Sequence, residues 1–179
     1  MIKIFLATLR LFARPAAVLV AAAGLAGCIS SKTPLLTGGN PQFGKVAHFQ
    51  FYGLSSSGAR DPQQARYRWD GGRYVYVDGD YKDTAAFAIR PLAGRDFIVQ
   101  SINAKADPEV GYALARRLAS GVYLLILIDE EDADAATREK YCARKTECRI
   151  ETSEALMAFA RATAAKPRDM GGLALLLAE

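Results

Sequence analysis

Residues 67–77 read YRWDGGRYVYV, and this stretch decides the fold. Aromatic and β-branched side chains alternate with polar ones on both sides of Asp70-Gly71-Gly72. Alternation with a period of two is typical of strands, and glycines between two such runs are typical of a tight hairpin turn. The stretch therefore predicts two antiparallel strands, 66–69 and 73–77, joined by a short turn.

Further strand-like segments lie on both sides of this hairpin, and short polar or glycine-bearing turns separate them. They are residues 46–52, 85–91, 96–102, 111–117 and 122–128. In the last segment, VYLLILI, apolar residues occupy both faces, which is typical of a strand buried on both sides. Together these segments predict an antiparallel meander of seven strands.

The pattern becomes helical after Asp129. Acids open the segment 132–141, as the helix dipole favours. A second helix is predicted to begin at Ser153 as its N-cap and to run to residue 165. Its apolar stripe is Leu156, Phe159, Ala160 and Thr163. The run GLALLLA at 172–178 fits either a closing strand, the eighth, or a last helical turn, and the glycine pair 171–172 favours the strand.

The fold class predicted by these elements is α+β. Seven or eight antiparallel strands form a sandwich or a partial barrel, with two helices near the C-terminus. One globular domain is expected over residues 45–179. Residues 28–44 hold Ser, Thr, Gly, Pro and Asn with little periodicity, so we expect a flexible tether there.

The first 27 residues have the parts of a secretory signal peptide. Lys3, Arg10 and Arg14 are their only charges, and residues 15–27 form an unbroken run of apolar and small residues. As a helix these thirteen residues would extend about 20 Å, which is short of a hydrocarbon core about 30 Å thick. An exported protein is therefore favoured over a membrane-spanning one.

The end of this leader, Leu25-Ala26-Gly27-Cys28, resembles the lipobox of bacterial lipoproteins at every position. The resemblance implies cleavage before Cys28 and attachment of diacylglycerol to its thiol, usually with a further acyl chain such as palmitate on the new amine. Ile29 stands where Asp would resemble an inner-membrane retention signal, so the outer membrane, facing the periplasm, is favoured. In overall texture the rest of the chain resembles other small envelope lipoproteins.

The net charge of the chain comes mostly from the leader. The 179 residues include 23 Lys and Arg and 19 Asp and Glu, a net charge of +4. Since the leader holds three basic residues and no acid, the remaining chain has 20 against 19, a net of +1. A nucleic-acid partner is therefore not expected, because basic excess is the mark of such proteins.

Cys142 and Cys148 are the two cysteines left once Cys28 is assigned to lipid. An even pair in an exported protein predicts a disulfide. A metal pair would lack further ligands, because His48 is the chain's single histidine. The acids 129–132 with Asp134 are more simply a solvated helix start than a cation site. No metal is therefore expected, and no nucleotide or cofactor motif is present.

The aromatic hairpin is the best candidate for ligand binding. Trp69, Tyr74 and Tyr76 stand beside Asp70, and aromatic faces with a nearby carboxylate suit sugar rings. In an envelope protein that sugar would be peptidoglycan. The alternative is structural, because Tyr and Trp are favoured in strands, where they form cross-strand pairs.

Two functions remain open from the sequence. The first is a non-catalytic lipoprotein that binds an envelope protein or peptidoglycan or supports the envelope, with the membrane reached through its lipid. The second is an envelope hydrolase that uses His48 with a serine of 55–57 or an Asp. The two differ in one geometric respect, since only the hydrolase requires His48 to lie beside those serines or a pocket.

Overall fold

An eight-stranded antiparallel barrel forms the centre of this computed structural model, which describes residues 29–55, 58–59, 61–82, 84–103, 110–142, 148–164 and 170–177. The strands are β1 Ile29–Ser31, β2 Val46–Ser55, β3 Gly58–Ala59, β4 Gln63–Asp70, β5 Arg73–Gly79, β6 Thr84–Ala93, β7 Asp96–Asn103, β8 Val110–Ala119, β9 Val122–Leu127, β10 Cys148–Arg149 and β11 Met170–Leu177. Two helices follow β9, α1 Ala135–Tyr141 and α2 Ser153–Ala164, and a 3-10 turn at Glu130–Asp132 precedes them. The predicted α+β class is confirmed.

Strand β11 closes the barrel. Strands β4 to β9 pair in chain order, β2 pairs with β4, and β11 inserts between β9 and β2. Leu173 is opposite Leu124 of β9 on one side and Tyr52 of β2 on the other. Because the last strand pairs with both remaining edges, the sheet closes into a barrel. The sequence predicts either a sandwich or a partial barrel.

The hairpin that opened the sequence analysis joins β4 to β5, as predicted. Gly71 and Gly72 have φ of 58° and 137°, which glycine adopts at little cost. A Cβ on Gly72 would also come within 2.7 Å of the Gly38 nitrogen. The turn therefore needs glycine twice, for its backbone angles and for the close approach of the N-terminal segment.

The barrel wall separates two apolar clusters. The inner cluster fills the barrel and includes Phe49, Tyr67, Tyr74 and Phe87. The outer cluster lies between the wall and α2, and its buried members include Ile98, Leu114, Ile126, Leu156 and Phe159. Strand β9 contributes to both, because Leu125 packs against the inner cluster and Ile126 belongs to the outer one. Its prediction as a strand with two apolar faces is confirmed.

Helix α2 buries the predicted stripe of Leu156, Phe159, Ala160 and Thr163. Its N-cap is Thr152 rather than Ser153, since the Ala155 amide donates to Thr152 Oγ1 at 3.1 Å. At its other end Arg116 Nη2 donates to the Ala164 carbonyl at 3.3 Å and also contacts Asp96. The helix is thus tied to the barrel at both its apolar face and its C-terminus.

Residues 29–44 pack along the barrel, where the sequence predicts a tether. Ile29 and Leu36 are buried, and β1 pairs with both β8 and β10. The amides of Leu35 and Leu36 donate to Gln100 Oε1 at 2.7 and 2.8 Å. A few apolar residues in this polar segment therefore attach it to the barrel. The prediction of a tether rests on the content of turn-forming residues, which does not reveal such contacts.

The Cys142–Cys148 pair lies at disulfide distance, with Cα atoms 4.6 Å apart. It joins the residue that ends α1 to strand β10, which leads into α2. The connection between the two helices is therefore held where the sequence predicts it.

Replacing Gln100 with leucine should release the N-terminal segment. Gln100 is 1% exposed, so Gln100→Leu leaves two amides without their acceptor and should cost about 2–4 kcal/mol. Urea unfolding measures the loss, and hydrogen exchange should show the Leu36 amide exchanging faster. Gln63→Leu, at an exposed position of β4, is the control and should change stability little. Equal stability of the two variants would contradict the role given to Gln100.

Candidate ligand site inside the barrel

The barrel interior is built from aromatic rings contributed by alternate residues of neighbouring strands. Phe87 lies at its centre, with its ring centroid 4.9 Å from those of Tyr67 and Tyr74 and 6.0 Å from that of Phe49. The Tyr74 ring stacks on Phe87, and the other two meet it edge to face. These are the favoured geometries of aromatic pairs, so the rings specify the interior packing.

Phe43 closes one end of this interior. Its ring meets Phe49 at 5.0 Å and Tyr123 at 5.4 Å, both edge to face. The Phe43 amide donates to Tyr74 Oη at 2.7 Å, and that hydroxyl donates to the Gly44 carbonyl at 3.0 Å. Burial raises the pKa of Tyr74, although the hydrogen bond from Phe43 opposes the shift. Residues 43 and 44 thus cover this end of the barrel and are hydrogen-bonded to Tyr74 in its wall.

A cavity of about 50 Å³ remains between Phe43 and the far end of the barrel. Its aromatic lining consists of Phe43, Phe49, Phe51, Tyr67, Tyr81, Phe87 and Tyr123. Aliphatic side chains and the hydroxyl residues Thr84 and Ser101 complete it, and no charged residue of the described chain lines it. The space is large enough for several water molecules but offers them few polar partners.

The Tyr67 hydroxyl is buried in the wall beside this cavity and exposes no area to it. Tyr67 is 0% exposed, and within the described chain its Oη has no hydrogen-bond partner. Burial is the main reason that its pKa lies well above the ordinary value, and the neighbouring Tyr81 and Tyr76 raise it further. A buried hydroxyl without a partner loses its hydration and gains nothing in return, so its burial lowers the stability of the fold.

Phe51 and Tyr81 form the rim at the far end of the cavity. Both are half-buried, and their ring centroids are 4.8 Å apart. Phe51 belongs to the second half of β2, and Tyr81 is the second residue after β5. Phe51 and Tyr81 therefore keep some area in solvent, whereas Phe49 and Tyr67 are buried.

The structure brings the four residues predicted to bind a ligand into one hairpin but gives them different environments. Tyr74 is fully buried, and both capacities of its hydroxyl are used by the N-terminal segment. Trp69 is half-buried and meets Tyr74 edge to face at 5.0 Å. Tyr76 is half-buried and donates to the Gly79 carbonyl, and Asp70 is exposed at the turn. Only Trp69, Tyr76 and Asp70 present area to solvent.

His48 lies on the outer face of β2, opposite Arg66 and Leu177 in the neighbouring strands. Its neighbour Phe49 points inward and lines the cavity, which His48 does not. Ser55 is seven residues further along the same strand, a distance of about 23 Å. Ser56 and Ser57 lie outside the described residues. The described chain therefore does not bring His48 to Ser55 or to the cavity.

The acids after β9 cap the N-termini of the 3-10 turn and of α1. Asp129 Oδ1 accepts from the Glu131 amide, and Asp132 Oδ2 accepts from the Asp129 amide. Asp134 caps α1 by accepting from the Thr137 amide at 2.7 Å. Among the described residues, no group of three His, Cys, Asp or Glu side chains is placed to hold a metal ion.

The aromatic cavity residues that sequence reasoning missed are Phe43, Phe49, Phe51, Phe87 and Tyr123. Phe49 and Phe51 alternate along β2, and this period-two signal could have placed both inside. Phe43 and Tyr81 lie outside the barrel strands, so no strand pattern includes them. The missing partner of Tyr67 depends on packing across the barrel and has no sequence signal.

Raising the pH should destabilise the protein partly through Tyr67. Because its folded pKa is raised, the unfolded chain ionises first, near the ordinary value of about 10. Stability is therefore full below pH 10 and is lost above it, by up to about 1.4 kcal/mol per pH unit for one tyrosine. Tyr67→Phe should lose less stability than wild type between pH 9 and pH 11.5 in urea unfolding.

A matched control removes ring area without removing a hydroxyl. Trp69→Phe, beside the same cluster, should lower stability to a similar extent at both pH values. If wild type and Tyr67→Phe lost stability in parallel above pH 10, the burial of the Tyr67 hydroxyl would not control this pH dependence.

Comparison with protein-family models, curated proteins and solved structures gives no match to this chain. Among the described residues, no helix has the length and apolar character needed to cross a membrane.

Proposed function

We propose that this protein is a lipoprotein of the bacterial envelope, attached to the outer membrane by lipid on Cys28 and facing the periplasm. Its barrel acts there as a non-catalytic binding module. The observation that carries the anchor is the sequence Leu25-Ala26-Gly27-Cys28 at the end of a positively charged, apolar leader. Cys28 and the leader lie outside the described residues, so this part of the proposal rests on the sequence alone.

The Cys142–Cys148 pair supports the compartment. Disulfides persist in oxidising surroundings such as the periplasm and are rare where thiols are kept reduced. The pair is six residues apart and joins α1 to β10, so it is a structural link within one domain. This is what an exported domain of this size would use.

The barrel supports the binding module. A closed wall surrounds an aromatic interior with a space of about 50 Å³, and the described residues that line it carry no charge, which supports contact with small apolar groups. The half-buried Trp69 and Tyr76 pack against the inner cluster, and they and the exposed Asp70 keep area in solvent where an envelope protein or peptidoglycan could bind. Binding is favoured over hydrolysis because His48 does not line the cavity and Ser55 is about 23 Å away from His48 along β2.

The anchor is tested by labelling cells with an alkyne-bearing palmitate analogue. Wild type should incorporate the label and remain in the membrane fraction after a carbonate wash. Cys28→Ala should lose all label, because it has no thiol to receive diacylglycerol. Without that step the leader is not cleaved, so no new N-terminal amine becomes available for acylation.

Ser30→Ala is the control for this experiment, since it changes a residue two positions further on and keeps the four-residue motif. It should be labelled like wild type. Label on the Cys28→Ala chain, or an unlabelled wild-type chain, would overturn the lipoprotein assignment.

A further inference from the structure

We propose that one side of the barrel, the outer face of β2, β9 and β11, lies against the surface of an anionic lipid bilayer. This inference rests on the proposed function as a lipid-anchored protein and adds a second contact between the domain and its membrane. We call this side the apolar face, and its members are Tyr52, Val122, Leu173, Leu175 and Leu177.

The alternation of side chains along each strand places these residues outside the barrel. In β11, Ala174 and Leu176 pack in or against the inner cluster, so the three leucines that alternate with them point outward. The register then makes the members of the face neighbours. Leu173 is opposite Tyr52 of β2, and Leu175 is opposite Val122 of β9.

The apolar face keeps area in solvent. Its five members are all half-buried, and neither apolar cluster of the described residues includes them. The outer cluster ends beside the face, where Leu124 of β9 packs against it. Adjoining apolar side chains that remain in contact with water usually mark a site that meets a protein or a membrane.

The charges around the face complement an anionic surface. Strands β2, β9 and β11 contain no Asp, Glu, Lys or Arg. Exposed basic side chains stand at two borders: Lys45 and Arg68 beside the start of β2, and Arg117 beside the β8–β9 turn. Next to Arg117, Leu118 is 47% exposed. Anionic lipid headgroups attract basic side chains, and the interface accommodates apolar ones beside them.

The remaining arginine at this border contributes less to the attraction. Arg66 is opposite His48 of β2, and its Nε lies 3.4 Å from Asp78 Oδ1. The carboxylate offsets its charge, so the argument rests on Lys45, Arg68 and Arg117.

The position of β1 favours a bilayer over a protein as the partner of the face. Ser30 of β1 is opposite Gly111 of β8, and β9 takes over the pairing with β8 where Leu127 is opposite Ala113. The described chain therefore begins beside the end of β9, and Cys28 directly precedes Ile29. Lipid on Cys28 would hold a bilayer near this side of the barrel and raise its effective concentration at the face.

Paramagnetic NMR on the lipidated full chain in nanodiscs tests the contact. The discs contain phosphatidylethanolamine and phosphatidylglycerol, and some lipids carry a gadolinium chelate on the headgroup. The methyl signals of Leu173, Leu175 and Leu177 should lose most of their intensity. Val77, which is 50% exposed on β5, should keep most of its intensity because it lies on a different part of the wall.

Leu175→Asp places a charge in the middle of the face and should restore the signals of Leu173 and Leu177, because an unpaired charge is costly against lipid. Val77→Asp is the matched control and should leave the signal loss unchanged. An unshifted methyl signal of the buried Ile98 verifies that each variant is folded.

A second variant changes only exposed side chains. Lys45→Gln combined with Arg68→Gln should restore part of the leucine signals in discs that contain phosphatidylglycerol. It should have no effect in discs of phosphatidylcholine alone, because the attraction to anionic lipid is absent there.

The proposal is overturned if the leucines of the face keep their intensity in a chain that carries lipid, or if Val77 loses as much intensity as they do. It is equally overturned if light scattering finds two chains per particle while the leucines are unaffected, since a second copy would then cover the face. These results differ from a failure of the lipid anchor. An unlabelled wild-type chain removes the lipoprotein assignment, whereas a labelled chain without signal loss removes only the contact proposed for the apolar face.

Discussion

The pairing of β11 with both β9 and β2 is the constraint on which the structure depends. Without it the meander would be an open sheet with two unpaired edges, and the aromatic residues on its inner face would be exposed to water. With it, Tyr74, Phe87 and Phe49 form a closed interior, and the wall gains a fixed circumference. Closure also defines the cavity, because a space can remain empty only inside a wall that does not collapse onto it.

The closed wall explains why the chain needs two further elements. One end of the barrel would be open at Tyr74, and the N-terminal segment closes it with Phe43. The apolar outer face around Ile98 and Leu114 would be exposed, and α2 covers it with Leu156 and Phe159. The rest of the outer face needs no cover where β4 presents the exposed Arg66 and Arg68.

The parts of the fold that could be predicted depend on residues close in sequence. The β4–β5 hairpin, the two-faced strand β9 and the stripe of α2 each follow from a local period, and the structure has all three. The sequence favours the last strand, β11, but not its pairing, which places Leu173 beside Tyr52 across more than a hundred residues. The position of residues 29–44 was not predicted either, because the amides of Leu35 and Leu36 donate to Gln100, which is distant in sequence. The same limit applies to the site: the aromatic hairpin indicates where rings gather but not which hydroxyl lacks a partner.

The start of β1 has a consequence for how the domain would sit in a cell. Ile29 is buried and opposite Cys148, and it directly follows Cys28 in the chain. If Cys28 carries lipid, one peptide bond, about 3.8 Å between Cα atoms, separates the lipid-bearing residue from the first residue of the sheet. The domain would then be held close to the bilayer with little rotational freedom, and the direction of β1 would set its height and tilt above the lipid. Every copy would present the same side to the periplasm, so that partners would approach from a restricted set of angles.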